Sequence, residues 1–143
     1  MKRLILLILL VLPLYASAQQ ISFDELIRRY SSQQGCTTIE LSQTMLSSMG
    51  VSDGVERMQV IAVENKALLS ELREAIPEIT DGMVVIMSVN SGNESVKICC
   101  RNSKEHGIVE LVVATFDNGE GVLVRICGTN INISDASSLI EEL

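Results

Sequence analysis

The stretch that decides the fold runs from Ile108 to Cys127 and reads IVELVVATF-DNGEG-VLVRIC. Two runs rich in apolar and β-branched residues, Ile108–Phe116 and Val122–Cys127, flank the short segment Asp117–Gly121. β-branched residues favour strands, and a brief Asn- and Gly-containing segment between two such runs favours a tight turn. The stretch therefore predicts an antiparallel β-hairpin.

Three further features outside this hairpin predict strands. Met83–Val89 and Ser95–Arg101 flank a second turn-forming segment, Asn90–Glu94, and predict another hairpin. Upstream, both faces of Arg57–Val63 are largely apolar, which is typical of a strand covered on both sides. Cys36–Leu41 alternates like a strand. The sequence therefore predicts about six strands, of which the last four form a meander.

Helical spacing fills the remaining segments. Ser22-Phe23-Asp24-Glu25 is predicted as a capping box that begins a helix, and Gly35 closes that segment. A short helix is predicted over Ser42–Met49, with Met45, Leu46 and Met49 on one face. The other two predicted helices are Lys66–Ile76, capped by Asn65 and ended by Pro77, and a final helix from Ser134 or Asp135 to Leu143.

These elements predict an α+β fold. The expected architecture is a single domain with an antiparallel or mixed sheet of about six strands, a C-terminal four-strand meander and helices packed on the sheet. A chain of 143 residues suffices for one such domain. We expect that domain to span residues 19–143, after a leader of residues 1–18.

The leader has the three parts of a secretory signal. A basic start at Met1-Lys2-Arg3 precedes the apolar run Leu4–Leu14, and small residues follow at Ala16 and Ala18. The apolar run is too short to span a bilayer, which takes about 20 residues, and no Cys stands near the cleavage site. We expect cleavage between Ala18 and Gln19 and a periplasmic or secreted protein without a stable membrane anchor. The alternative is a buried N-terminal helix.

The charge balance excludes some classes of partner. The chain carries 11 Lys and Arg against 18 Asp and Glu, for a formal net charge of -7. Nucleic-acid binding requires a basic surface that displaces counterions from phosphates, and an anionic membrane repels an acidic protein. The sequence therefore predicts no nucleic-acid partner, and its apolar content of 47% argues against disorder.

Four cysteines, Cys36, Cys99, Cys100 and Cys127, follow the leader. An even number in an exported protein permits disulfides, and three pairings are possible: 36–99 with 100–127, 36–100 with 99–127, or 36–127 with 99–100. The last pairing needs a strained bond between adjacent residues. Free thiols are the favoured alternative.

The strand pattern refines the expectation for the cysteines. Neighbouring residues on a strand point to opposite faces, so Cys100 is predicted to be buried and Cys99 to lie on the more polar face, with Cys127 on the same side as Cys99. If strand Ile108–Phe116 lies between Cys99 and Cys127, their backbones are about 9–10 Å apart. A disulfide needs Cα atoms within about 7 Å, so a 99–127 bridge would then fail.

The remaining residues give no catalytic pattern. There is no Cys-x-x-Cys motif, no zinc ligand set and no glycine-rich phosphate loop, and the single histidine, His106, lies in a predicted loop. Glu110, Asp117 and Glu120 are interpreted as solvated acids. The sequence therefore predicts no metal, no cofactor and no catalytic residue, and leaves open whether the protein is an enzyme.

The order of segments after the leader resembles a family of short exported bacterial proteins known only as domain of unknown function 4252. The segments that carry the resemblance are Phe23–Tyr30 with Gly35, Met45-Leu46, Lys66–Ile76, Ile108–Val113, Val124–Gly128 and Ile131–Ser134 leading into Leu139. The resemblance implies export in a Gram-negative, Bacteroides-like bacterium and implies no activity. Many relatives carry a lipid-anchor Cys after the signal, whereas this chain has Gln19.

Two hypotheses follow. The first is a non-enzymatic module that binds an envelope protein or component through its sheet or an exposed strand edge. Alanine at Glu110, Asp117, Glu120 and Arg125 is then expected to weaken binding. The second is a thiol-active or carboxylate-dependent envelope enzyme that uses Cys99, Cys127 or Glu110.

Overall fold

The computed structural model describes residues 22–51 and 54–134. The predicted leader with its cleavage site at Ala16, Ala18 and Gln19 lies outside the described residues. So does the predicted final helix, apart from its first candidate residue, Ser134, which is helical together with Ile133.

The described residues form three helices and six strands. In chain order these are α1 (Phe23–Tyr30), β1 (Cys36–Ser42), α2 (Gln43–Ser48), β2 (Val55–Val63), α3 (Lys66–Ile79), β3 (Val84–Ser91), β4 (Glu94–Ser103), β5 (Gly107–Phe116) and β6 (Gly121–Gly128).

One antiparallel sheet contains all six strands, in the order β1-β2-β6-β5-β4-β3. The four C-terminal strands form the predicted meander, so each pairs with its neighbour in sequence. Helix α3 carries the chain from β2 to the far side of the sheet, where β3 begins. β1 and β3 therefore become the two edges, and the predicted α+β fold is confirmed.

The first face of the sheet packs against α1 and α3. Its core contains aromatic and aliphatic side chains of both helices and of β2, β5 and β6. The buried members are Phe23, Leu26, Ile27, Tyr30, Ile61, Val63, Leu69, Leu72, Ala75, Ile76, Val112, Ala114, Phe116 and Leu123. Burial of this apolar surface is the main force that holds the helices on the sheet.

The second face of the sheet has its own apolar cluster. Leu46 of α2 and Ile131, which follows β6, pack against strand residues there. The buried strand members are Val55, Met58, Val60, Cys100, Leu111, Val113, Val124 and Ile126. Both faces of the central strands are therefore apolar, as the sequence of β2 predicts.

Side-chain caps fix the helix starts. Ser22 accepts a hydrogen bond from the Glu25 amide at 3.2 Å, and Asn65 accepts one from the Ala67 amide at 3.0 Å. The predicted end of α3 is wrong, because the helix continues through Pro77 to Ile79. A proline in the last turn removes only one amide donor, and the Thr80 amide and hydroxyl both donate to the Ile76 carbonyl.

The predicted apolar face of the short helix α2 is also only partly correct. Leu46 is buried, but Met45 and Met49 are exposed. Met45 precedes Leu46 directly, so its side chain is rotated by about 100° from that of Leu46, and Met49 lies at the C-cap, beyond the last helical residue.

Candidate functional site

The most unusual surface of the molecule is the outer edge of strand β3. All eight residues from Val84 to Ser91 are exposed, and none is charged or proline. Five of them are large and apolar, with exposed fractions between 42% and 57%: Val84, Val85, Ile86, Met87 and Val89. No other strand pairs with this edge in the described part of the chain.

The opposite edge of the sheet, strand β1, is built differently. It has polar or charged residues at four of its seven positions, including Glu40, and its one large apolar residue counted as exposed is Ile39, at 37%. Charged and polar side chains on an edge oppose the addition of another strand. The two edges of the sheet are therefore not equivalent: β1 carries the charged residue Glu40, whereas β3 has polar residues only at Ser88, Asn90 and Ser91 and no charged residue.

A β-bulge lies in the middle of the β3 edge. Val85 is opposite Cys99 and Met87 is opposite Ile98, so Ile86 is the additional residue. Cross-strand partners share a face, and the bulge therefore places Met87 on the second face. Val84 and Val89 lie on that face as well.

The apolar surface of the second face extends across the whole sheet to this edge. One cross-strand row carries an aliphatic side chain on each of the six strands. Its members are Met87, Ile98, Val113, Val124, Val60 and Ile39. The central members are buried, whereas Met87 is exposed at 43%. The row therefore ends in an uncovered apolar side chain at β3.

A network of hydrogen-bonded polar side chains lies on the first face, at one end of the sheet. Glu110 accepts from Arg101 Nε at 3.1 Å with one oxygen and from Arg125 Nε with the other. Arg125 Nη1 donates to Gln59 Oε1 at 3.1 Å. The network thus crosses strands β4, β5, β6 and β2.

Gln59 joins this chain of contacts to a second group of charges. Its amide nitrogen donates to Asp24 Oδ1 at 2.9 Å and to Glu40 Oε1 at 2.7 Å. Arg57 also donates to Asp24 and lies 3.5 Å from Glu40. The hydrogen bond from Gln59 is the largest cause that holds the pKa of Asp24 below its ordinary value, and Arg57 adds to it.

We call the seven side chains Asp24, Glu40, Arg57, Gln59, Arg101, Glu110 and Arg125 the polar network. It contains three cations, three anions and one amide, so its formal charges balance. It lies beside an open cleft of about 370 Å³, in which Phe23, Ile79 and Val112 contribute the apolar wall. Two further acids, Glu78 and Asp81, also line the cleft, so its wall carries charges of both signs.

The structure corrects the interpretation of Glu110 as a solvated strand acid. Its side chain is only 13% exposed and is held between two guanidinium groups. The sequence pattern missed this because Arg101, Glu110 and Arg125 come from three different strands. The other two acids lie elsewhere: Asp117 accepts from the amides of Gly119 and Glu120 in the β5–β6 turn.

Cys99 lies, as predicted, on the face of β4 that also carries Lys97 and Arg101, but it is not exposed there. Cys99 is buried, as is Cys100 on the other face. The first face bears the core that includes α1 and α3, so polar neighbours such as Lys97 and Arg101 do not leave Cys99 exposed. The alternation in β4 indicates one apolar face, whereas the sheet has a core on each face.

The thiols lack the environment of a reactive cysteine. Burial raises the pKa of Cys36, Cys99 and Cys127 above the ordinary value. Cys127 is the cross-strand partner of Glu110 on β5. A raised pKa leaves little thiolate at neutral pH, and Glu110 is already paired with two arginines, so this juxtaposition is poorly suited to nucleophilic chemistry.

All four cysteines are free thiols in the structure. β5 lies between β4 and β6, which is the arrangement in which a bridge from Cys99 to Cys127 has to span two strand spacings. Among the described residues, no group of three His, Cys, Asp or Glu side chains is placed to hold a metal ion. His106 lies exposed in the turn before β5.

No helix in the described part of the chain combines the length and apolar character needed to cross a membrane.

The sequence analysis does not identify the β3 edge, although the sequence contains a signal for it. Met83 to Val89 contains no charged residue, whereas the partner strand β4 contains Lys97 and Arg101.

Comparison with known proteins gives one family. No curated protein and no solved structure matches the chain. A family model described as "Domain of unknown function (DUF4252)" matches residues 30–139, which include β1 to β6. The match covers most of the chain, and the chain belongs to this family of unknown function.

Proposed function

We propose that the protein is an exported, non-enzymatic binding module of the cell envelope that takes up an extended segment of a partner protein at the β3 edge. The observation that carries the proposal is the edge itself: eight exposed residues without a charge, five of them large and apolar. Natural proteins normally protect such edges with charges, proline or a covering element.

The physics of strand addition defines the partner. An exposed edge offers its outward backbone amides and carbonyls to an extended segment, and alternate side chains select what binds. On the second face, Val84, Met87 and Val89 offer an aliphatic surface, and Val85 lies on the first face. We therefore expect an extended segment that is rich in β-branched or aliphatic residues and lacks charge.

The acidic body of the protein adds selectivity. With a formal net charge of -7, the chain repels strongly acidic proteins at long range. A partner segment flanked by neutral or basic residues is favoured. Export rests on the leader pattern in residues 1–18 and on the resemblance stated above.

Site-specific photo-cross-linking in the native compartment tests the proposal. A photoreactive amino acid replaces Met87 on the β3 edge, and the matched control replaces Ile39 on the β1 edge. We expect position 87 to give one reproducible cross-link to an extended, uncharged segment of another envelope protein, mapped by mass spectrometry. Equal labelling of the same proteins from both positions would contradict a specific role of β3.

The same experiment separates this proposal from the polar network. Alanine at Arg125 and Glu110 was expected to weaken binding, but both side chains lie on the first face, several strands from β3. If the β3 edge is the site, these two substitutions leave the cross-link at position 87 in place in protein that remains folded. Loss of that cross-link in folded Arg125→Ala protein would move the site to the network.

A further inference from the structure

We infer that a second copy of this chain occupies the β3 edge when no partner does, so that two protomers join β3 to β3 and form one continuous antiparallel sheet. The inference rests on the proposed function in that it uses the same edge. It adds the identity of one occupant, and it makes self-pairing a competitor of partner binding.

Symmetry supplies the first argument. Two identical edge strands related by a two-fold axis perpendicular to the sheet run antiparallel, which is the arrangement of every strand pair already in this sheet. Two-fold dimers are the commonest closed assemblies, and they bury both exposed edges in one step. β1, with Glu40 on it, does not offer a comparable edge, so the assembly stops at two copies.

The residues of β3 are self-complementary. With the axis between Ile86 and Met87, Val84 of one copy lies opposite Val89 of the other. Both residues lie on the second face, because their β4 partners Cys100 and Val96 do so. Apolar pairs at such directly opposed positions stabilise a sheet. The pairing also places the two bulges beside the axis, where they are related by symmetry.

Charge supplies the third argument. Two copies of a chain with a net charge of -7 repel each other, so most surfaces of this protein oppose self-association. β3 is an uncharged stretch of eight residues, and pairing it with itself brings no two like charges into direct opposition. Pairing at this edge therefore adds no direct like-charge contact between the two strands to the long-range repulsion.

Pairing also completes the apolar row on the second face. In one protomer the row ends at Met87, which is 43% exposed. In the register described above, Met87 lies opposite Ile86 of the other copy, one residue from the end of that copy's row and about 4.8 Å away in the strand-to-strand direction. The aliphatic surface then runs without interruption through both halves, and the exposed side chains at the two edges become each other's cover.

Light scattering across a concentration series tests the inference on the exported protein. We expect the wild-type protein to pass from monomer to dimer, and Met87→Lys to weaken dimerisation at least tenfold because it places two like charges at the axis. Ile39→Lys, a matched charge on the other edge, keeps the wild-type association. Circular dichroism and thermal unfolding establish that both variants fold.

Hydrogen exchange gives an independent readout. The amides of β3 become slower to exchange as the wild-type concentration rises, while those of β1 do not change. A wild-type protein that stays monomeric into the high micromolar range overturns the inference, as does a dimer that Ile39→Lys disrupts as strongly as Met87→Lys.

The outcomes also separate this inference from the proposed function. A monomeric protein that still cross-links from position 87 to another envelope protein refutes self-pairing and retains the binding module. A dimer that cross-links from position 87 only to itself in the native compartment supports self-pairing and refutes the binding of another envelope protein at this edge.

Discussion

At the scale of single residues, Gln59 joins the two halves of the polar network. Its side chain is buried on the first face of β2, where it accepts from Arg125 and donates to Asp24 and Glu40. A buried amide without partners would destabilise the fold, so the charges around it serve first to satisfy it. The network therefore has a structural role that needs no ligand.

Asp24 gives the network a predictable pH dependence. Its folded pKa lies below the ordinary value, chiefly because of Gln59 and then Arg57. The carboxylate therefore stabilises the fold above the unfolded pKa, near pH 4, and this contribution is lost as pH falls through the folded pKa. Asp24 is half exposed, so the contribution is below about 1 kcal/mol.

We expect Asp24→Asn to reduce the loss of stability that the wild-type protein shows between neutral pH and about pH 3. Urea unfolding at each pH measures it. Gln59→Ala removes the main cause of the shift and is expected to reduce the acid dependence in the same way. If the free energy of unfolding of folded Gln59→Ala protein fell with decreasing pH as steeply as that of the wild type, the result would contradict this account.

At the scale of elements, strand ends matter as much as strand centres. The residue before β2, Gly54, lies so close to the end of β6 that a Cβ on Gly128 would be 1.7 Å from the Gly54 carbonyl oxygen. Gly54 itself has φ +103°, a conformation that favours glycine, and its carbonyl accepts from the Thr129 amide at 2.8 Å. Because Gly128 has no Cβ, the backbone at the end of β6 can approach the Gly54 carbonyl this closely.

Gly128→Ala is therefore expected to destabilise the protein by at least about 1–3 kcal/mol, since the backbone must move to admit a methyl group. Chemical denaturation followed by circular dichroism measures the change. Gly119→Ala is the matched control, because a Cβ there meets nothing within 4 Å. A loss of stability at Gly119 equal to that at Gly128 would show that the close approach of the two backbones is not the cause.

Element types were largely predictable because local patterns determine them. The strand residues around Asp117–Gly121 and the caps at Ser22 and Asn65 appear in the structure where the sequence placed them. The end of α3 is not predictable in this way, because Pro77 lies in a last helical turn that Thr80 closes by donating to the Ile76 carbonyl. That contact depends on the folded path beyond the helix, which a local pattern does not contain.

At the scale of the whole molecule, the features that matter for function depend on strand order. The exposure of β3 follows from its place at the edge, and the polar network exists because β4, β5, β6 and β2 are adjacent. The strand order is not contained in any local pattern, and the pattern of β4, unlike that of β2, indicates only one covered face, so the burial of Cys99 is not predictable from it. Its neighbours on the same face, Lys97 and Arg101, are polar, yet Cys99 is only 1% exposed.

The thiols provide a test of this double-sided core. Cys99 and Cys100 are buried on opposite faces of β4, and burial also raises the pKa of the half-buried Cys36 and Cys127. Native protein at neutral pH is therefore expected to react slowly with a thiol reagent at Cys36 and Cys127, and not at Cys99 or Cys100 until it unfolds.

Mass spectrometry of alkylated peptides, without reduction, measures both the rate at each site and any bridge. Four slow or silent thiols would remove the thiol-enzyme hypothesis, since no cysteine would then be an available nucleophile. Fast labelling of Cys99 in folded protein would contradict the helix cover on the first face. Because the two buried thiols report on different faces, unequal protection of Cys99 and Cys100 would show which of the two cores opens first.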